Sequence, residues 1–426
     1  MKIICIFCDM LKSDKISLIN NSIKKGKLEI ELEKLGGTIY TNSFSQTPDT
    51  GRALASFFTG KNSKNNNCNY QYKFPKYFLK NNEFTLVELL KENNYTYDFL
   101  SHGANITLGA FPNKIENIIR FGNNSRNTLK KEIAKLKNKI ETFENYFLFI
   151  GIEDYHLVSD NYGINEKTSE IAKSKLADSI EYLFKKIDKD KFDYIFIFSD
   201  HGHKEKIEKT ERGKLLLLGP DRTRIFLQIR RRFEKELIFN ENIKSIVDFL
   251  PTFFDILNLE NSKYNLDGEN IFHDRGDRII SLEGNDNFFD PYSEITLWGA
   301  VNKKYIYLTD KKNEIILKND ISKNITINEI SEEDKKKFIA KIKEETFVYT
   351  EKKMRDILEI EKIRKMNLIN DENTPCDYLY SNGEIISFKL FIKNKIKRLL
   401  IKMNLLNIYF KIKKIRKILW KKQIKS

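Results

Sequence analysis

Three short runs of almost uninterrupted apolar residues constrain this chain most: Lys2-Ile-Ile-Cys-Ile-Phe-Cys8, Tyr146-Phe-Leu-Phe-Ile-Gly-Ile152 and Tyr194-Ile-Phe-Ile-Phe198. A strand with one wet face alternates apolar and polar residues. These do not alternate, so both of their faces must be covered. A fourth strand is expected at Tyr95–Leu100 and a short one around Thr38–Thr41. Between them lie charged segments with apolar residues at helical spacing: a stretch from Arg52, Phe84–Asn93, Leu129–Phe143 and Thr168–Lys186. Doubly buried strands alternating with helices predict an α/β fold, a three-layer α/β/α sandwich around a mostly parallel sheet.

Ile243–Leu257 reads as a further helix, interrupted by Pro251. From about Arg278 to Leu317 the strands shorten and alternate, which predicts a small antiparallel C-terminal subdomain. Ser331–Met366 reads as charged helix. The expected division is 1–275 for the main domain, 276–375 for the subdomain and 376–426 for a basic helical tail.

The charge of the chain, +15 overall, sits almost wholly in that tail. Fourteen Lys and Arg and no acid lie between Phe388 and Ser426; without them 61 basic residues face 60 acidic ones. A nearly neutral body argues against a diffuse nucleic-acid surface, and no nucleic-acid partner is expected. The tail interleaves its charges with Phe, Ile, Leu and Trp420, the composition of a helix lying on an anionic membrane surface. A helix packed on the body with a solvated basic face is the alternative. No secretory leader is recognisable ahead of the first strand, and no stretch approaches the roughly 18 apolar residues of a membrane span. The expected location is cytoplasmic, peripheral on the inner face of the cell membrane. Four cysteines are too few for a disulfide framework. Cys5 and Cys8 are three apart in a strand, hence on opposite faces, and read as core residues rather than a chelating pair.

In a parallel sheet, functional groups collect at the carboxyl ends of the strands. Asp9 follows the first run, Glu153-Asp-Tyr-His156 the second and Ser199-Asp-His-Gly202 the third. For one strand-end aspartate a helix cap is the simpler reading. Three acidic motifs on three strands favour a shared divalent cation, since carboxylate oxygen and imidazole nitrogen are its usual ligands.

With these motifs the chain resembles the sulfatase branch of the alkaline phosphatase superfamily. The resemblance rests on Asp9, on Thr50-Gly-Arg-Ala-Leu-Ala-Ser-Phe-Phe-Thr-Gly60, on Phe147-Leu-Phe-Ile-Gly-Ile-Glu-Asp-Tyr-His156, and on Ser199-Asp-His-Gly202. It also rests on Ile246-Val-Asp-Phe-Leu-Pro-Thr-Phe-Phe-Asp-Ile-Leu257 followed by Asp267-Gly268. Five motifs in the family's order cover about residues 1–275. The resemblance implies a metal held by Asp9, Thr50, Asp200 and His201, with Thr50 as nucleophile at the start of a helix. The two-zinc members need additional histidines; with five in the chain and no obvious third ligand beside Asp154 and His156, one divalent ion is expected, manganese or zinc first, calcium or magnesium as alternatives. His156 is implied as a phosphate or leaving-group contact, and Asp154 as a further substrate-side group. His102, in Ser101-His-Gly-Ala-Asn105, resembles a substrate-pocket segment; a surface turn is its plain alternative. His203 and His273 are expected to be exposed. Lys214 and Arg222 are weaker candidates for substrate oxygens.

The departures matter as much. Sulfatases carry C-x-P-S-R or S-x-P-S-R, whose first residue becomes formylglycine. The aligned positions here are Thr50, Arg52, Ala53 and Leu54. A threonine there is similar to the lipoteichoic acid synthase-like and phosphoethanolamine transferase-like members, which form a phospho-threonine and pass the group to an alcohol or water. The resulting expectation is a metal-dependent phosphotransferase or phosphodiesterase acting on a phosphorylated small molecule or lipid-linked glycan. A sulfatase-like or phosphomonoester hydrolase is the enzymatic alternative. An inactive sulfatase-fold binding protein is the non-enzymatic one.

Overall fold

The computed structural model describes residues 1–346 except 67, 69–78, 80–82, 103–114, 116–117, 122–124, 163–164, 204–209, 275, 285–294 and 322–324. For residues 102, 120, 121 and 160–162 it describes the backbone alone. The basic tail, and the part of the Ser331–Met366 helix beyond residue 346, lie outside the described residues.

Sixteen strands form three sheets among the described residues: β1 Lys2–Cys8, β2 Gly37–Tyr40, β3 Ser43–Phe44, β4 Thr96–His102, β5 Ile118–Phe121, β6 Tyr146–Ile152, β7 Tyr194–Phe198, β8 Arg224–Ile225, β9 Leu227–Arg231, β10 Leu237–Asn240, β11 Lys244–Ser245, β12 Ile280–Gly284, β13 Leu297–Val301, β14 Tyr305–Thr309, β15 Glu314–Lys318 and β16 Thr326–Ile327. The central sheet has the order β10-β2-β9-β7-β1-β6-β4-β5. Every pairing is parallel except the two made by β9. This is the expected α/β/α sandwich, with one reversed strand that the sequence hides.

Strand alternation builds the two helix layers. Ile3, Cys5 and Phe7 face one core with Phe147, Phe149, Phe196 and Phe198; the Thr50–Thr59, Leu86–Glu92 and Phe249–Ile256 helices cover it. Ile4, Ile6 and Cys8 face the other, under the Lys27–Leu35, Ser125–Thr142, Asp154–Tyr162 and Glu166–Lys186 helices. Cys5 and Cys8 are therefore buried core residues on opposite faces. Phe57 seats the Thr50–Thr59 helix on the sheet: its ring stacks on Phe198 at 4.8 Å between centroids and meets Phe249 at 4.9 Å. Such aromatic pairs add about 0.5–1.5 kcal/mol beyond the area they bury.

The Ile243–Leu257 expectation needs correcting. The chain runs through β11 and a 3-10 turn, Ile246–Asp248, before the helix Phe249–Ile256 begins. Pro251 does not interrupt it. It lies in the first turn, where a missing N–H costs nothing. The neighbouring motif residues are structural. Asp248 accepts from the Ser245 and Glu269 backbones at 2.7 and 2.9 Å and holds Arg278 at 2.5 Å through both oxygens. Gly268 is required by close approach, because a Cβ there would lie 2.0 Å from the Val247 carbonyl oxygen.

The second large sheet, β12-β13-β14-β15-β16, is antiparallel throughout. Its Trp298, Tyr307 and Ile316 pack under Phe338 and Ile342 of the Glu332–Glu345 helix, and Leu282, Val301 and Leu308 pack against Leu215–Leu218 and Phe44. Among the described residues no helix is long and apolar enough to cross a membrane.

Candidate metal centre

Strand register assembles the acidic cluster. β1 runs level with β6, Cys8 opposite Ile152, and with β7, Phe7 opposite Phe198. One residue further along β1 lies Asp9. Level with it stand Glu153, just past β6, and Asp200, two past β7; the Asp9 N–H still donates to the Ile152 carbonyl at 3.2 Å. Three carboxylates on adjacent strands thus reach the sheet edge together, and all three are buried.

The loop after β1 is shaped to hold Asp200. Met10 has φ +62°, the left-handed region that costs a non-glycine residue about 1 kcal/mol or more. There its N–H donates to Asp200 Oδ1 at 3.1 Å, joined by the His201 N–H at 2.8 Å. Asp200 Oδ2 lies 3.3 Å from His201 Nε2. His201 Nδ1 donates to the Gly202 carbonyl at 2.7 Å, which leaves Nε2 as the acceptor facing inward. Thr50 Oγ1 donates to that Nε2 at 3.2 Å. Thr50 opens the Thr50–Thr59 helix, whose cap is Asp49, accepting the Arg52 N–H at 3.1 Å. The structure brings Asp9, Thr50, Asp200 and His201 together.

The electrostatics are those of a cation site. Burial, with the charges of Asp9 and Asp200, pushes the Glu153 carboxyl up to about 9. Burial raises Asp200 to about 6, helped by Asp9 and opposed by His201, the Thr50 hydroxyl and the Met10 N–H. Like-charged carboxylates packed in low dielectric resist ionising together. A divalent ion removes that conflict. Ligand atoms of Asp9, Asp200 and His201 all lie within 4.8 Å of one another, a span that two bonds of about 2 Å each can bridge. These residues fit a divalent metal.

His156 stands at the mouth. Its Nδ1 donates to Asp9 Oδ2 at 3.0 Å, and its side chain is 36% exposed. Asp154 is a correction: it is level with neither Asp9 nor Asp200. It begins the Asp154–Tyr162 helix, and its carboxylate turns into the helix layer, accepting from Ser179 Oγ at 2.8 Å and from Ser125. The carboxylate level with Asp9 and Asp200 is Glu153, which feels their charges, while the ligand atoms that lie within 4.8 Å of one another are those of Asp9, Asp200 and His201. Arg222 is buried and structural, donating to the Leu217 and Pro48 carbonyls at 2.8 Å each. Lys214 lies 3.8 Å from Asp310. His203, expected to be exposed, is 3% exposed and packs on Tyr155 with ring centroids 5.6 Å apart. His273 is exposed, as expected. His102 closes β4, but its side chain and Gly103–Asn105 lie outside the described residues.

The sulfatase family model matches residues 2–259, more than half of the 426-residue chain. A search of the curated proteins finds no match. Among solved structures, a protein of the alkaline phosphatase superfamily from Vibrio parahaemolyticus superposes with a TM-score of 0.57 at 13% identity, covering 80% of this chain and 84% of that one. A 2-O GAG sulfatase gives 0.57 at 12% identity, with 86% and 93% covered. The phosphonate monoester hydrolase of Agrobacterium radiobacter gives 0.50 at 11%, with 74% and 89% covered. At these identities the likeness speaks for the fold alone. The family match places the chain in the sulfatase family, a family of hydrolases that bind a divalent metal ion, and Asp9, Asp200 and His201 form a cluster that could hold one.

Proposed function

We propose that the protein transfers or hydrolyses a phosphoryl group through Thr50, acting as a phosphodiesterase or phosphotransferase. The observation that carries this reading is the Thr50 hydroxyl. It lies at the start of a buried helix, bonded to His201 Nε2 and beside the Asp9 and Asp200 carboxylates. The sulfatase signature is missing around it: Arg52, Ala53 and Leu54 stand where proline, serine and arginine would, and Leu54 is fully buried in the aromatic core.

Asp9, Thr50, Asp200 and His201 would hold the metal, which when bound supplies positive charge that lowers the hydroxyl's pKa and screens the anionic substrate. Thr50 Oγ1 attacks phosphorus, forming an O–P bond as the bond to the leaving oxygen breaks. Its proton would pass to the Asp200 carboxylate, to which the hydroxyl also hydrogen-bonds, because a bound metal takes the lone pair of His201 Nε2. Asp49 takes the Arg52 N–H of the Thr50–Thr59 helix, so the N–H groups that would meet the incoming anion are those of Thr50 and Gly51. His156, its Nδ1–H held by Asp9, would start as the imidazolium, give its Nε2 proton to the leaving oxygen, and regain one from the attacking water or alcohol. The substrate class that fits is a phosphorylated small molecule or a lipid-linked glycan.

The test compares Thr50→Ala with the parent on bis(4-nitrophenyl) phosphate and 4-nitrophenyl sulfate in manganese. The parent should prefer the phosphodiester. The variant should lose at least about a thousandfold in kcat while folding normally and keeping its metal. Near-parental turnover in the variant, or preference for the sulfate, overturns the proposal.

A further inference from the structure

The turn that carries Thr50 is gripped from outside the family-matched residues. Arg52 folds back on the residue preceding Thr50: its Nε donates to Asp49 Oδ2 at 2.6 Å, and a second guanidinium nitrogen reaches the same oxygen. Its third nitrogen extends to Glu283 Oε1 at 3.4 Å, on β12 of the antiparallel sheet. All three side chains are at most 5% exposed. The same strand follows the turn along its backbone, with the Glu283 N–H donating to the Gln46 carbonyl at 2.8 Å. Pro48 packs against Gly284, where an added Cβ would lie 3.3 Å from its ring.

Arg52 occupies the proline position of the sulfatase signature, while the signature's arginine position is apolar Leu54. A buried carboxylate is costly unless it answers a charge. On β12 the charge it answers is the arginine wrapped around the nucleophile's helix cap.

We propose that Glu283 is a positioning residue for Thr50: through the Arg52 fork it fixes the Asp49–Thr50 turn against the metal cluster, so the working unit extends past residue 259 into the antiparallel sheet. Asp49 alone pairs with Arg52 but moves with it, being three residues away in the same turn. Glu283 is the anchor on a separate sheet. Misplacing a reacting atom by about 1 Å costs on the order of a hundredfold in rate.

The proposal builds on Thr50 as nucleophile, and its test has one arm that does not. Glu283→Gln keeps the side chain's shape and removes its charge. In the manganese-loaded protein, kcat for bis(4-nitrophenyl) phosphate should fall at least about fivefold, with KM and manganese affinity within about twofold. Amide exchange of the peptide spanning residues 47–53 should speed up at least about fivefold, with β1 and β7 unchanged. If the glutamine variant does not fold, Arg52→Lys carries the same two readouts, because lysine keeps the charge and loses the fork. An active parent whose variant keeps kcat within twofold overturns the proposal. If the parent itself has no activity on the probe, the phosphoryl-transfer reading fails, and the exchange arm decides: unchanged exchange in residues 47–53 overturns the positioning role, and faster exchange upholds it.

Discussion

Replacing Glu153 by glutamine should stabilise the metal-free protein and weaken the metal-loaded one. Glu153 is 3% exposed and shares its surroundings with Asp9 and Asp200, which is why its carboxyl is pushed from 4.5 up to about 9. A carboxyl raised in the folded state favours folding fully below its unfolded value, and that contribution drains away as pH climbs through the folded value. The window here is pH 4.5 to about 9. At pH 7 the solution stands about 2.5 pH units above the unfolded value, and each unit is worth about 1.4 kcal/mol, so the penalty is on the order of 3 kcal/mol. Glutamine carries no such penalty. In chelator, urea unfolding at pH 7–8 should show the variant more stable by about 1–3 kcal/mol, with the gap closing towards pH 4.5. In saturating manganese the order should reverse, because the variant offers the ion one negative charge fewer and binds it less tightly. A glutamine variant less stable than the parent in chelator at pH 8 would refute the view of Glu153 as part of a charge-frustrated cation site.

Other substitutions test other parts. Asp154→Asn should leave manganese affinity within twofold, because this carboxylate accepts from Ser179 and Ser125 in the helix layer; a tenfold loss of affinity would make Asp154 part of the metal site. Lys173 is 2% exposed and bonded to the Lys15 carbonyl at 2.9 Å and to the buried Glu29 at 3.0 Å. Lys173→Met should cost about 3–5 kcal/mol by removing the charge partner of that carboxylate and leaving it the Ser17 and Gly26 N–H groups, and a loss under about 1 kcal/mol in urea unfolding would contradict this. Truncation after Ser387 should abolish co-sedimentation with anionic vesicles while sparing phosphodiester turnover, and salt should weaken binding of the full chain. A truncated protein that unfolds would make the tail a structural helix.

Much of the central sheet was legible because β1, β6 and β7 are apolar on both faces, a pattern only a covered strand satisfies. Asp9, Asp200 and His201 were legible for the same reason: each follows such a strand. β9 was not, since Leu227-Gln-Ile-Arg-Arg231 places polar residues where a doubly covered strand is expected to be apolar. Gln228 and Arg230 are buried but satisfied, Gln228 by the distant Leu32 and Gly36 carbonyls and Arg230 by Asp190 and the nearby Glu234 carbonyl. Glu153 was hidden by its neighbour: without the pairing of Cys8 with Ile152, nothing separates it from Asp154 as the group facing Asp9. His203 looked solvated because it follows a loop motif, and only the packing of Tyr155 shows otherwise. The Arg52–Glu283 contact joins residues 231 positions apart, and no local pattern announces it.

The central claim is that Thr50 becomes covalently attached to phosphorus. Its most direct test is peptide mass spectrometry of the manganese-loaded protein, acid-quenched during turnover of bis(4-nitrophenyl) phosphate. A 4-nitrophenylphosphoryl adduct should appear on the peptide carrying Thr50 and be absent from Thr50→Ala. Steady turnover with Thr50 unmodified at every quench time, or an adduct on another residue, would contradict it.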